Sequence, residues 1–248
     1  ATLLAALAKA DAKDELTLKV TGASDAKDLL ALDAKTAIIV DASTVTGITG
    51  TAAEIKKVFA AKGIEVGANV IINVTDTAAS AADVNAIAGS TNGVVTATVA
   101  TGTAAALNKA LVNANGVAAT GDKLTLTISK GTAAAKDLTD LDAKTLVNVK
   151  AEDVTLITGT FAEVNAALVT NAATLLTADN VAATLSGTVS AANAQIIANA
   201  TEGKVTATIA AGTAADLNGA LTDATFPTGG NAYTLTVNNA VGTAAAAT

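Results

Sequence analysis

Two periodicities alternate along the chain. In Leu124-Thr125-Leu126-Thr127-Ile128 aliphatic and threonine positions alternate, which predicts a strand with aliphatics on one side and threonines on the other. Val95 to Val99, Val205 to Ile209 and Tyr233 to Val237 repeat that pattern. Elsewhere the apolar positions take helical spacing, as in Ile55, Val58 and Phe59, in Leu107 and Leu111, and in Val164 and Leu168. Hydroxyl and acid residues three apart stand before these helices: Thr51 with Glu54, Ser80 with Asp83, Thr160 with Glu163, Thr213 with Asp216. That spacing predicts capping boxes or their aspartate variant. Lys62-Gly63 and Asn92-Gly93 read as helix stops, since glycine tolerates the left-handed conformation. Ala1 to Leu7 reads as the inside of a helix, too short and without the basic flank of a signal peptide, which suggests a fragment of something longer.

The pattern repeats. Leu32-Asp33-Ala34-Lys35-Thr36 recurs as Leu141-Asp142-Ala143-Lys144-Thr145, and Ile48-Thr49-Gly50-Thr51 recurs at the same distance as Ile157-Thr158-Gly159-Thr160. Gly-Thr before a helix at Gly50, Gly102, Gly159 and Gly212 divides this into half-repeats, with further starts near Ser24, Ser80, Thr132 and Ser190. The chain therefore reads as the end of a preceding repeat (1–14), repeat one (15–122, halves 15–69 and 70–122), repeat two (123–231, halves 123–179 and 180–231) and the start of a third (232–248). The smallest unit is one strand and one helix, about 23 to 30 residues, within the range of solenoid repeats.

Short strand-helix units predict an α/β fold with a parallel sheet backed by helices. Stacked unit on unit, they predict a repetitive elongated solenoid stabilised by neighbour contacts. A doubly wound sheet is the structural alternative.

Composition narrows the chemistry. Half of the residues are hydrophobic (51%) but only 2% are aromatic, so the core is built from small aliphatic pieces. The chain has no Cys or His and no Arg, all 15 basic residues being Lys, so it lacks an imidazole base, a thiolate and a guanidinium clamp. Ser129 and Lys130 are the one familiar nucleophile pair, and as strand neighbours they point to opposite sides. These absences predict a protein that is not an enzyme. A net charge of −7 argues against nucleic acid as a partner. No apolar run reaches the length of a transmembrane segment.

Thr75 to Ala78, Ser80 to Asp83, the Leu-Asp-Ala-Lys-Thr segments and Thr49 to Glu54 resemble the Ala/Thr/Asp-rich tandem repeats of very long bacterial surface proteins, cyanobacterial ones especially, described as adhesin-like or haemolysin-like. The resemblance implies a secreted or cell-surface location and a role in adhesion, envelope layers or extracellular fibres. Self-association or cell-surface partners follow from it. The glycine-rich calcium nonapeptide that often accompanies such repeats is absent, so calcium binding does not carry over.

Two sets of residues stand out as sites. Asp137, Asp140 and Asp142 lie close together in the chain and could offer oxygens to a calcium ion, the one cofactor candidate; the alternative is a solvated helix face. Thr96, Thr98, Thr125, Thr127, Thr206, Thr208, Thr234 and Thr236 would form an outward threonine face, for adhesion, packing of another copy or ice binding. The alternative is ordinary strand propensity, and Val70 to Val74 interrupts the pattern. The leading expectation is a structural repeat segment, adhesive or self-assembling. An ice-binding threonine face and a calcium-stabilised spacer are the alternatives.

Overall fold

The computed structural model describes residues 2–116, 121–222 and 230–238. The chain forms two compact units, one of residues 1–102, 106–127 and 140–149, the other of 103–105, 128–139 and 150–248. The first begins with α1 (Thr2–Ala6), β1 (Lys19–Asp25), α2 (Ala26–Asp33), β2 (Val40–Gly50), α3 (Ala52–Ala60) and β3 (Ile64–Val66). It continues through β4 (Ile71–Val74), α4 (Ala81–Ala88), β5 (Val95–Thr98), most of α5 (Ala104–Ala110) and β6 (Lys123–Thr125). Its sheet runs β1-β2-β4-β5-β6, every pairing parallel, with β3 paired to β2.

The second unit carries β7 (Gly131–Ala134), the start of α6 (Ala135–Asp142), β8 (Val149–Ala151), β9 (Val154–Gly159) and α7 (Phe161–Asn165). A π-helical turn (Ala166–Thr170) follows, then β10 (Leu175–Thr177), β11 (Ala182–Val189), α8 (Ala191–Ala200), β12 (Val205–Ile209), α9 (Ala214–Ala220) and β13 (Ala232–Thr234). Here the sheet order is β13-β12-β11-β9-β7, again wholly parallel, and β8 pairs with β10 separately.

The fold is α/β with parallel sheets and helices. In neither five-strand path does the order reverse, so neither sheet has the switch point of a doubly wound fold. Each strand bonds to the next strand of its path: Ile48 pairs with Ile72 and Ile72 with Val95, while Ile157 pairs with Ala183 and Ala183 with Val205.

Alternation decides which side is buried. In β12, Val205, Ala207 and Ile209 are buried while Thr206 and Thr208 are exposed. The helices turn Leu29, Ile55, Val84 and Ile197 into the core, all fully buried. Thr51 and Thr160 form complete capping boxes with Glu54 and Glu163. Ser80, Ser190 and Thr213 cap α4, α8 and α9 by accepting from the backbone N–H three residues on.

Some local expectations are corrected. Ser24 and Thr132 lie within β1 and β7, and their helices start at Ala26 and Ala135. Gly63 and Gly93 are not left-handed helix stops, since α3 closes at Ala61 and α4 at Gly89. At Gly93 space is missing, since a Cβ there would lie 2.2 Å from the Val70 carbonyl oxygen; at Gly63 the neighbour is the Asp33 side chain. Positive φ occurs instead at Gly22 (77°) and Gly131 (136°), both beside register shifts in their strands.

Candidate functional site

Of the eight threonines expected on an outward face, Thr98, Thr206, Thr208, Thr234 and Thr236 are exposed, while Thr96, Thr125 and Thr127 are half-buried. In the first unit Thr98 pairs with Thr125, but Thr96 sits between Asn73 and Lys123. The outward positions of β4 are Ile71 and Asn73, so the interruption at Val70 to Val74 is real. In the second unit the array is more regular. Thr158, Thr184 and Thr206 form one row across β9, β11 and β12, and Thr188, Thr208 and Thr234 form another across β11, β12 and β13. The sequence does not mark Thr158, Thr184 and Thr188, because Leu156, Ala182 and Ser186 stand where a Thr-x-Thr pair within their strands would need its other threonine.

The acidic trio is not assembled in this way. Asp137, Asp140 and Asp142 all lie on α6, where Asp140 accepts from Asn108 Nδ2 at 3.2 Å. Among the described residues, no three Asp, Glu, His or Cys side chains gather so as to hold a metal ion. Other carboxylates have capping or pairing duties. The Thr51 backbone N–H and hydroxyl hold the Glu54 pKa below its ordinary value, and Thr160 does the same for Glu163. Asp83 is lowered by Lys56 and then by Ser80, and Asp41 by Ser43 and then by Lys19.

A second set of threonines has an inward role that their sequence context does not announce. Thr36, Thr91, Thr145 and Thr201 follow helices at nearly equal intervals along the chain. Each hydroxyl donates to a carbonyl of the preceding turn of chain: Leu16 (2.8 Å), Val70 (2.6 Å), Leu124 (2.8 Å) and Val181 (2.6 Å) respectively. Each also accepts the backbone N–H two residues on, from Ile38, Gly93, Val147 and Gly203. Thr36 and Thr145 additionally accept from the N–H of Leu16 and Leu124. These staples satisfy backbone groups that would otherwise be orphaned as the chain leaves each helix. The recurrence of Leu-Asp-Ala-Lys-Thr is visible in the sequence, but the duty of its last residue is not.

A further inward polar group is Asp122, only 5% exposed. Its carboxylate accepts from the N–H of Val95 (2.8 Å) and of Asn115 (2.9 Å). Burial pushes its pKa above the ordinary carboxylate value, against the pull of those two N–H groups. It lines a cavity of about 350 Å³ in the first unit, together with Gly89, Thr91, Asn92 and Asn113 among others. In the second unit Asn231 does the corresponding work, its Oδ1 accepting from Val205 N–H at 2.9 Å.

No helix among the described residues is long and apolar enough to cross a membrane. Compared with known protein families, with curated proteins and with solved structures, the chain matches none of them.

Proposed function

We propose that the chain is a structural repeat segment of an extracellular or cell-surface protein, its strand-helix turns forming solenoid coils that are adhesive or self-assemble into a fibre or layer. The observation that carries this reading is the sheet order. Each strand bonds to the next along its path and the path never turns back, so neighbour contacts dominate. The staples at Thr36, Thr91, Thr145 and Thr201 support the same reading, because each fastens one turn of chain to the turn before it. Parallel sheets built this way keep outer strand groups open to association. Electron microscopy and sedimentation of the purified chain at high concentration test it. Filaments or layers are the expected result, and strictly monodisperse monomers would sink self-assembly while leaving adhesion to be tested on cells.

A second reading rests on the second unit's threonine rows, Thr158-Thr184-Thr206 and Thr188-Thr208-Thr234. In-register hydroxyls and methyls spaced by the strand separation suit an ordered water lattice, with ice as the ligand. Thermal hysteresis decides it: none in the parent chain, or an unchanged value on replacing Thr206 and Thr208 with Tyr, removes this reading. The calcium-stabilised spacer has no observation of this kind in its favour.

A further inference from the structure

We propose that the cavity around Asp122 in the first unit is a binding site for a primary ammonium group. The site is independent of whether the chain assembles.

Asp122 brings an unbalanced charge into the first unit. It is 5% exposed, and no lysine is among the described residues that line the cavity it faces. A buried carboxylate is costly unless it is paired or fully hydrogen-bonded. Each carboxylate oxygen of Asp122 accepts one backbone N–H, which leaves lone-pair directions on both.

Neighbouring groups add further acceptors to the carboxylate. Asn113 gives one Nδ2 hydrogen to the Asn85 carbonyl, at 3.2 Å, and its Oδ1 can accept. The Thr91 hydroxyl is committed to Val70 and Gly93. Asn92 adds a side-chain amide at the exposed rim. Several acceptors and one net negative charge call for a ligand with several donors and one positive charge. A primary ammonium has three N–H donors and a single charge. A divalent cation would want more carboxylate oxygens than one residue supplies.

The cavity is kept open by glycine. A Cβ on Gly89 would stand 2.5 Å from Asn113 Nδ2. At the matching places of the second unit, Asn199 stands for Gly89, Glu202 for Asn92 and Asn231 for Asp122. The second unit keeps a cavity of about 320 Å³ at the matching place, lined by Asp179, Asn199 and Glu202, but both carboxylates there are exposed and an amide meets Val205, so the buried charge is a property of the first unit.

The test is a titration of the ¹⁵N-labelled full chain with ethylammonium chloride, following the backbone amides of Val95 and Asn115. Saturable shifts at these two amides are expected. Asp122→Asn should weaken the response by roughly tenfold or more, as loss of a charge-assisted contact does. Should that variant fail to fold, Gly89→Asn keeps the carboxylate but drives a side chain against Asn113, and the response should weaken there too. N-acetyl-lysine methylamide serves as the peptide-borne probe; a stronger response to it than to ethylammonium marks a protein lysine as the source, and an equal one a free amine. Three results overturn the proposal: no saturable shift, an equal response to tetramethylammonium, or a response to calcium chloride in place of the amine.

Discussion

The two units solve the same local problem with different chemistry. In the first, the N–H of Val95 is met by the buried carboxylate of Asp122; in the second, the N–H of Val205 is met by the amide oxygen of Asn231. The two bonds have nearly the same length, 2.8 and 2.9 Å. What differs is the charge, and with it the response to pH. By contrast the staples and the close-packed glycines are shared: Thr91 and Gly93 recur as Thr201 and Gly203, and a Cβ on either glycine would lie 2.2 Å from a carbonyl oxygen, of Val70 or of Val181. Architecture is therefore common to the units, and electrostatics is where they part.

The shared features should break equally. Gly93→Ala and Gly203→Ala force a side chain against backbone that cannot yield, and each should cost about 3 kcal/mol in urea unfolding followed by circular dichroism. A loss confined to one of them would show that the two turns are not equivalent. Next come the staples. Thr145→Val and Thr201→Val strip a buried hydroxyl and leave carbonyl and N–H groups unsatisfied, at about 2 kcal/mol each by the same measurement. Thr91→Val, at a half-buried position, should cost less than either.

The unshared feature should break unequally. Burial raises the Asp122 pKa above its unfolded value, so protonation favours the folded chain. Its contribution is fully present below the ordinary carboxylate range and is lost as pH rises through the raised value. Asp122→Asn should abolish that contribution, and Asn231→Asp should create a second one. Stability measured from neutral pH downward separates the two variants, and parallel profiles would refute the assignment. The lowered carboxylates Asp41, Glu54, Asp83 and Glu163 act in the opposite sense. Their contribution is present above the ordinary range and fades as pH falls through their lowered values, so the parent profile is the sum of opposed slopes. The smallest change is expected at the caps, where Thr51→Ala and Thr160→Ala should each cost about 1 kcal/mol, equally in the two units, by thermal unfolding.

What is legible in the sequence is whatever obeys a local rule. The caps at Thr51 and Thr160 depend on residues three apart, and the strand faces at Val205 to Ile209 on simple alternation, so both can be read directly. The staples cannot, because a threonine that bonds to a distant turn of chain looks like any threonine that favours a strand. Gly93 misleads for a related reason: a left-handed turn and a close approach of backbone both demand glycine, and only the neighbours in space tell them apart. Asp122 is one of 22 acidic residues, and nothing adjacent to it in the chain marks it as buried. The acidic trio misleads the other way, because nearness along a helix is not convergence.

The staples also bear on how such a chain changes length. Thr36 reaches back to Leu16, Thr91 to Val70, Thr145 to Leu124 and Thr201 to Val181, so every one closes a short local loop and none spans the molecule. The entropy of closing a loop that short is modest, and it does not grow with the number of loops already closed. A duplicated cassette of roughly 55 residues, the spacing of the staples, brings its own fastening with it and asks nothing of distant residues. Were the chain lengthened by one such cassette, the new staple would close within it and leave the existing ones as they are.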